Sequence, residues 1–142
     1  MTTLVFAYGT LKEGFPNFPS NRGARVPGAF LTVERFPFYL VGTRRVPWLV
    51  NAPGQGERIA GQVFQVNDAA LDEMDLLEGV HASNGYRRMT IEVVERDKTG
   101  AVAFPALVYI KQPDQFARET ICVGPLAEYT LGHAALYIRM NL

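Results

Sequence analysis

Short runs of apolar and β-branched residues, broken by glycine and proline, dominate the hydrophobic pattern of the chain. Such runs are typical of strands, and the residues that bound them are typical of turns. The predicted strands are 4–8, 24–34, 36–41, 46–50, 58–66, 86–94 and 102–111. The last two are expected to form a hairpin across 97–100, and a long loop is expected at 9–21. Apolar residues on both faces of 58–66 indicate a central strand.

One segment, 68–80, has the period of a helix rather than that of a strand. Its apolar residues recur on one predicted inward face, at Leu71, Met74 and Leu77 with Leu76 beside them. Asp68 is the expected N-cap, and Gly79 is typical of a helix end. The wet face is predicted to carry Asp72, Glu73 and Asp75. The helix therefore brings Glu78 to the boundary between the core and a turn.

The remainder, 112–142, has no clear period, and 126–140 fits either a short helix or another strand. Many strands, few helices and no alternation of strand with helix predict a compact, barrel-like α+β domain. At 142 residues the chain fits a single domain spanning 1–142.

The composition limits the kinds of partner that the chain is expected to bind. Lysine plus arginine and aspartate plus glutamate each number 14, so the formal net charge is zero. Nucleic acid and anionic membranes select basic surfaces, so neither is expected as a partner, and a small polar ligand is favoured. The single cysteine, Cys122, excludes an intramolecular disulfide and fits a reducing compartment. With no apolar run of membrane length and no signal-peptide pattern, the chain is expected to be cytoplasmic.

The first candidate site is the turn Tyr8-Gly9-Thr10-Leu11, into which an apolar strand runs directly. Backbone N–H groups after Gly9 are free to bind an anion or a carbonyl oxygen if no strand pairs with them, and the Thr10 hydroxyl adds a donor. The alternative is an ordinary exit from a strand into a loop.

Glu78 is the second candidate, because Leu77 and Val80 flank it. If its side chain turns inward, desolvation raises its pKa towards neutrality, where a carboxyl group can both accept and donate a proton. The alternative is a solvated residue near a helix C-terminus, where negative charge is mildly unfavourable.

Four further residues are candidates for the border of a pocket. Trp48 and Tyr129 can line a ligand site, with core packing as the alternative. Arg87 and Arg88 point to opposite sides of a strand, so one can reach a carboxylate, with solvation as the alternative. A third group, Cys122, His81 and His133, has the spacing of neither a thiol hydrolase nor a zinc site.

Several segments, taken in order, resemble the γ-glutamylcyclotransferase-like superfamily, and most closely its γ-glutamylamine cyclotransferase branch. These segments are Val5-Phe6-Ala7-Tyr8-Gly9-Thr10-Leu11-Lys12, Val46-Pro47-Trp48-Leu49 with Pro53-Gly54, Gly61-Gln62-Val63-Phe64, 71–79 and Tyr86-Arg87-Arg88. The resemblance covers the first two thirds of the chain. Residues from about 112 onwards show no family pattern, and 81–85 resembles an insertion.

The resemblance implies a small mixed β-barrel flanked by a few short helices. It also implies that the turn from Tyr8 to Leu11 binds the γ-glutamyl group and that Glu78 is the catalytic acid and base. Trp48, Arg87 and Tyr129 are further expected substrate-binding residues. The family releases 5-oxoproline and a free amine or amino acid, without a metal or an organic cofactor. A non-catalytic binding module for a γ-glutamyl metabolite and a thiol hydrolase using Cys122 are the alternatives, and the oligomeric state is left open.

Overall fold

The computed structural model describes residues 2–116 and 120–138, which form nine strands and three short α-helices. The strands are β1 (Thr2–Ala7), β2 (Ala24–Arg25), β3 (Phe30–Phe36), β4 (Phe38–Val41), β5 (Val46–Leu49), β6 (Glu57–Asn67), β7 (Arg87–Glu95), β8 (Phe104–Ile110) and β9 (Ile121–Val123). The helices are α1 (Asp68–Glu78), α2 (Pro113–Phe116) and α3 (Leu131–Ala134). A 3₁₀ turn occupies Phe18–Ser20. None of the helices in the described part is long and apolar enough to cross a membrane.

The main sheet is mixed and curls back on itself. Its pairing order is β1-β8-β7-β3-β6, and β6 also pairs with β1 along six residues, from Thr2 opposite Asn67 to Ala7 opposite Gln62. The contact between β1 and β8 is parallel, whereas the other pairings are antiparallel. β2 adds to β6, and a small second sheet has the order β5-β4-β9. The predicted strand-dominated α+β fold with short helices is confirmed.

Strand β6 holds the two sides of the core together. Ile59 and Val63 belong to a cluster that includes Phe6 and Phe38, while Phe64 faces a second cluster with Met74 of α1. Because consecutive residues Val63 and Phe64 are both fully buried, β6 is covered on both faces, as its two-sided apolar pattern predicted.

Two strand predictions have different outcomes. The hairpin is confirmed, with β7 and β8 paired from Arg87 opposite Ile110 to Val93 opposite Phe104. The predicted strand 24–34 is wrong as a single element, because Pro27 and Gly28 separate β2 from β3. Proline has no N–H for a ladder, and Gly28 has a φ of 109°. In the tail, the sequence left a short helix and a strand as alternatives for 126–140, and the structure has the short helix α3 there. Residues 139–142 lie outside the described residues.

Helix α1 has the predicted extent but not the predicted faces. Its N-cap is Asn67 rather than Asp68, since the Asn67 side chain accepts a hydrogen bond from the Ala70 N–H at 2.8 Å. Met74 is fully buried, as expected, but Leu76 is 76% and Leu77 is 45% exposed. Of the three acidic residues expected on the wet face, Asp75 is instead buried. The apolar stripe therefore ends at Met74, and the last turn of the helix faces a cavity.

Candidate active site

A cavity of about 600 Å³ lies between the end of β1 and the end of α1. It brings together the two principal candidates of the sequence, because Tyr8, Gly9, Thr10 and Leu11 line it together with Glu78. Its volume is in the usual range for small-molecule sites.

Hydrogen bonds within the loop after β1 hold the turn in its conformation. The Lys12 N–H donates to the Gly9 carbonyl at 3.1 Å, and the Asn17 N–H donates to the Thr10 carbonyl at 2.9 Å. The Asn17 side chain also donates to the Thr10 hydroxyl at 2.9 Å. A Cβ atom on Gly9 would lie 3.0 Å from a carbon of Pro47, so glycine gives the turn its close packing against β5. These contacts fix the turn before any ligand arrives.

Lys12 anchors the base of this turn in the core. Its buried ammonium donates to the Tyr129 carbonyl and lies 4.3 Å from the centre of the Phe15 ring. Burial lowers the pKa of Lys12 to about 8. The lysine thereby connects the turn to a residue far along the chain, and this contact adds to the rigidity of the site.

Two glycines that follow Glu78 fix the backbone beside it. Gly79 ends α1 in the left-handed conformation, with a φ of 64°. A Cβ atom on Gly85 would lie 1.8 Å from the Gly79 carbonyl oxygen, so only glycine fits there. The Tyr86 N–H then donates to the Glu78 carbonyl at 2.9 Å. The insertion-like segment 81–85 is therefore a closed turn that holds Glu78 beside the start of β7.

Glu78 is a half-buried residue, and its carboxyl group has an unusual proton affinity. Burial raises its pKa to about 7, although the positive charge of Lys111 partly offsets the effect. A carboxyl group with this pKa is present in both protonation states near neutral pH, which suits it to accept and then donate a proton.

Three tyrosines surround this carboxyl group, and burial together with the Glu78 charge raises the pKa of each of them, Tyr8, Tyr86 and Tyr109. Their hydroxyl groups donate elsewhere: Tyr8 to the Tyr109 carbonyl at 2.6 Å, Tyr86 to the Pro47 carbonyl at 2.7 Å and Tyr109 to Asp75 at 2.7 Å. A hydroxyl group has one proton, so none of the three donates to Glu78 in this arrangement. The Tyr86 and Tyr109 oxygens remain hydrogen-bond acceptors, whereas the Tyr8 oxygen already has a backbone hydrogen bond with Leu49.

Lys111 is a site residue that sequence reasoning missed. Its ammonium donates to the Asn84 carbonyl at 2.6 Å and lies 4.3 Å from the centre of the Trp48 ring and 4.6 Å from that of Tyr86. A lone lysine at the end of an apolar strand carries no pattern that identifies it. Trp48 therefore packs against Lys111, whose positive charge acts to lower the pKa of Glu78.

Asp75, one helical turn before Glu78, ties α1 to the main sheet. Its carboxylate accepts from Arg88 of β7 at 2.6 Å and from Tyr109 of β8 at 2.7 Å. The prediction of a wet face was wrong because these two partners, distant in sequence, satisfy a buried charge. Arg88 forms this ion pair while its side chain stays 34% exposed, so it is paired and partly solvated at once.

Part of the cavity lining consists of residues that the sequence did not single out. Arg44 and Tyr137 line it with Asn17. The Tyr137 hydroxyl lies 3.4 Å from the Asn17 side chain and 3.4 Å from the Arg44 guanidinium. Tyr137 belongs to the tail without a clear period, so no pattern pointed to it.

The remaining candidates lie outside the lining of this cavity. Trp48 is buried in β5, and Tyr129 is fully buried in the main core cluster. Arg87 is half-buried and donates to the Ala82 carbonyl at 3.2 Å. The structure thus brings Tyr8 to Leu11 together with Glu78, but it does not bring these three residues to the same surface.

Cys122 and His133 have local structural contacts, and His81 is exposed. Cys122 contacts the Gly42 carbonyl through its sulfur at 3.2 Å, and His133 completes the capping box of α3 with Thr130. Across residues 2–116 and 120–138, no group of three or more histidine, cysteine, aspartate or glutamate side chains is placed to hold a metal ion.

Comparison with known proteins identifies the family. A family model described as gamma-glutamyl cyclotransferase, AIG2-like, matches residues 5–129. A gamma-glutamylaminecyclotransferase of Rattus norvegicus is 30% identical over 120 residues, which cover 81% of this chain and 80% of the relative. One of Homo sapiens is 35% identical over 108 residues, covering 72% of this chain and 71% of the relative. The crystal structure of an AIG2-like protein from Mus musculus is similar, with a TM-score of 0.75 and 26% identity over 91% of this chain and 88% of that one. The chain belongs to the gamma-glutamyl cyclotransferase, AIG2-like family.

Proposed function

We propose that the protein is a γ-glutamylamine cyclotransferase, which converts a compound such as ε-(γ-glutamyl)lysine into 5-oxoproline and a free amine. The observation that carries this proposal is the carboxyl group of Glu78, whose pKa burial raises to about 7, in a cavity shared with the turn from Tyr8 to Leu11. Two relatives named gamma-glutamylaminecyclotransferases support the choice of substrate class.

The reaction needs a base and an acid in turn, and Glu78 supplies both. Its carboxylate takes a proton from the α-ammonium of the glutamyl group, and the freed amine nitrogen attacks the γ-carbonyl carbon. The new carbon–nitrogen bond closes the five-membered ring, and the bond to the leaving amine breaks as protonated Glu78 donates its proton to that nitrogen. The ring nitrogen then gives its surplus proton to the regenerated Glu78 carboxylate, which leaves the neutral lactam of 5-oxoproline. Because the nucleophile is part of the substrate, no serine or cysteine is required.

The turn after β1 supplies the polar contacts that the glutamyl group needs. Backbone N–H groups from Gly9 to Leu11 are proposed to bind the developing oxyanion or the α-carboxylate. Holding the amine close to the γ-carbonyl contributes several kcal/mol, up to roughly 7–11 kcal/mol in the best-oriented cases. The hydrogen bonds inside the turn favour such a preset geometry.

The tyrosines near Glu78 favour binding of an ammonium group. The hydroxyl protons of Tyr8, Tyr86 and Tyr109 are donated to other groups, so none of the three donates to the Glu78 carboxylate. The Tyr86 and Tyr109 oxygens can still accept a hydrogen bond from the substrate ammonium. On the open side, Leu76 and Leu77 line the cavity with exposed apolar surface. That surface suits the hydrocarbon chain of an aliphatic leaving amine.

The test is release of 5-oxoproline from a panel of ε-(γ-glutamyl)lysine, γ-glutamyl dipeptides and glutathione, measured by mass spectrometry. The Glu78→Gln variant is expected to lose about 10²- to 10⁴-fold in turnover, since general acid–base catalysis contributes about that much. Glu73→Gln is the matched control, because Glu73 lies on the same helix with its side chain 51% exposed and paired with Arg22. This control should retain wild-type activity.

Two outcomes contradict the proposal. Turnover by Glu78→Gln at the wild-type rate would exclude the acid–base role of Glu78. Thermal stabilisation of the folded wild-type protein by these compounds, without any 5-oxoproline, would instead favour the non-catalytic binding module.

A further inference from the structure

Lys111 is a buried cation to which the proposed reaction gives no direct part. It follows β8, and only 4% of the residue is exposed. Its backbone is fixed by two hydrogen bonds, because its N–H donates to the Leu49 carbonyl at 2.8 Å and its carbonyl accepts from the Asn51 N–H at 2.8 Å. A buried ammonium costs free energy unless its surroundings compensate for the lost water. Its side-chain contacts therefore show which part of the molecule this charge serves.

The side chain of Lys111 holds the closed turn that follows Glu78. Its ammonium donates to the Asn84 carbonyl at 2.6 Å, and the Gln115 amide donates to the Gly85 carbonyl at 2.9 Å. Gly85 in turn packs against the backbone of Glu78, since a Cβ atom there would lie 3.0 Å from the Glu78 carbonyl oxygen. Two side chains from the segment after β8 thus hold the peptide groups that lie against Glu78.

The same ammonium brings a positive charge close to the cavity. It lies 4.3 Å from the centre of the Trp48 ring and 4.6 Å from that of Tyr86, and Tyr86 lines the cavity together with Glu78. An aromatic face or a peptide carbonyl attracts a cation without carrying a charge that would cancel it. The field of Lys111 therefore extends to Glu78, in agreement with its effect on the pKa of that carboxyl group.

The groups that face Glu78 from the neighbouring strands and from its own helix supply no net charge. Burial raises the pKa of each of the three surrounding tyrosines, so they are neutral at physiological pH; these are Tyr8, Tyr86 and Tyr109. On helix α1, one turn before Glu78, the Asp75 carboxylate is paired with Arg88 at 2.6 Å. The charges of such a pair largely cancel at a distance. The charge balance at Glu78 therefore depends on the other cations around it.

Lys111 is the most deeply buried of the cations around this carboxyl group. Arg44 lines the cavity with Tyr137, and Arg87 donates to a carbonyl of the closed turn, but both arginines are partly open to solvent. His81, on that turn, is exposed. Water screens an exposed charge far more than a buried one. Within residues 2–116 and 120–138, Lys111 is therefore the cation best placed to act on this carboxyl group.

We propose that Lys111 is a positioning residue for the reaction: it holds the closed turn and favours the carboxylate form of Glu78, which takes the first proton. This inference rests on the proposed function. Without the ammonium, the hydrogen bond to the turn is lost and the carboxyl group stays protonated over a wider range of pH. Less of the enzyme is then ready to react near neutral pH, so Lys111 acts on the reaction through Glu78.

The test replaces Lys111 by methionine, which has a similar length but neither the charge nor the donor. The ionisation of Glu78 is followed by ¹³C NMR of protein labelled at the glutamate Cδ, with its resonance assigned by its loss in Glu78→Gln. The wild-type midpoint is expected near pH 7. In Lys111→Met it should move up by about 0.5–1 pH unit. On the acid side, kcat/KM for ε-(γ-glutamyl)lysine should then fall by about 3- to 10-fold, since it follows the ionised fraction.

Three further variants separate the charge from the hold on the turn. Lys111→Arg keeps the charge and should bring the midpoint back towards that of wild type. Gln115→Leu removes the other side-chain hydrogen bond to the turn without changing the charge, so it should lower kcat and leave the midpoint in place. Lys98→Met removes a lysine whose side chain is 64% exposed and paired with Glu95 at 3.2 Å, and it should behave as wild type.

Two outcomes overturn the inference. One is a Glu78 midpoint in folded Lys111→Met equal to that of wild type, even with a lower kcat, because Lys111 would then only stabilise the turn. The other is a shift of the same size in Lys98→Met, which would reflect the net charge alone. If Lys111→Met does not fold, Lys111→Gln keeps a donor for the Asn84 carbonyl without the charge, and an unchanged midpoint in that variant has the same consequence.

The NMR titration separates this inference from the proposed function, because it needs no turnover. A midpoint that moves up in Lys111→Met supports the action of Lys111 on Glu78 whether or not any γ-glutamyl compound reacts. Absence of 5-oxoproline with wild-type protein across the panel of compounds would overturn the proposed function alone.

Discussion

Replacing Glu78 by glutamine is expected to stabilise the fold while it removes activity. The folded protein raises the pKa of this carboxyl group from its ordinary value of 4.5 to about 7. The folded state therefore holds a proton more tightly than the unfolded chain between these pH values. The contribution of Glu78 to stability is fully present below pH 4.5 and is lost as the pH rises through 7.

The magnitude follows from that pKa change. Each tenfold change in proton affinity corresponds to about 1.4 kcal/mol, so ionised Glu78 destabilises the folded state by at most about 3 kcal/mol at pH 8 and by less than about 1 kcal/mol at pH 5. Glu78 as a residue is only half-buried, and solvent screening reduces the expected effect to about 1–2 kcal/mol. Glutamine has no charge to desolvate. The free energy of unfolding of Glu78→Gln relative to wild type should therefore increase by this amount when the pH rises from 5 to 8.

Urea unfolding of wild type, Glu78→Gln and the control Glu73→Gln at pH 5 and pH 8 measures the difference directly. Comparing the change in the free energy of unfolding between the two pH values removes any effect of the amide side chain that does not depend on pH. A Glu78→Gln protein whose stability relative to wild type is the same at both pH values would refute the argument that burial sets the proton affinity of this site. For the control Glu73→Gln, by contrast, we expect the same stability relative to wild type at both pH values, because the Glu73 side chain is exposed.

Three further predictions concern the support of the site. Asp75→Asn should lower the free energy of unfolding by about 2–3 kcal/mol, since it leaves Arg88 without its carboxylate; thermal unfolding that shifts by less than about 1 °C would argue against this ion pair. Gly85→Ala should cost at least about 2 kcal/mol because its Cβ meets a carbonyl oxygen at 1.8 Å, whereas Gly132→Ala, with its nearest contact at 3.5 Å, should be tolerated. Burial lowers the pKa of Lys12 from 10.5 to about 8, so the unfolded chain binds more protons above pH 8 and wild-type stability should rise from pH 8 to 9.5. This rise should be absent in Lys12→Met, and an identical pH dependence would show that another group is responsible.

The local features of this fold could be predicted from the sequence because they depend on neighbours along the chain. The two-sided apolar pattern of 58–66 identified the central strand, and the glycine after Glu78 identified the helix end. The turn from Tyr8 to Leu11 could be singled out because a strand and a glycine meet there. Each of these inferences uses residues that are adjacent or one helical turn apart.

Features that depend on distant partners could not be predicted in this way. Asp75 looked solvated because Arg88 and Tyr109, which satisfy its charge, are 13 and 34 residues away. Leu76 continues an apolar stripe, yet it faces a cavity that no periodicity reveals. Tyr137 reaches the site from a tail whose sequence has no clear period, so its place depends on the complete fold.

The contact between Lys111 and Trp48 gives the protein an optical reporter of its own. Trp48 is the single tryptophan of the chain, and the Lys111 ammonium lies 4.3 Å from the centre of its ring. The emission wavelength of an indole responds to the electric field across it, and Lys111 is also the cation that acts on Glu78. A ligand that changes the charge balance at Glu78 should therefore shift the intrinsic fluorescence. Occupancy of the cavity can then be followed in real time without a label or a coupled assay.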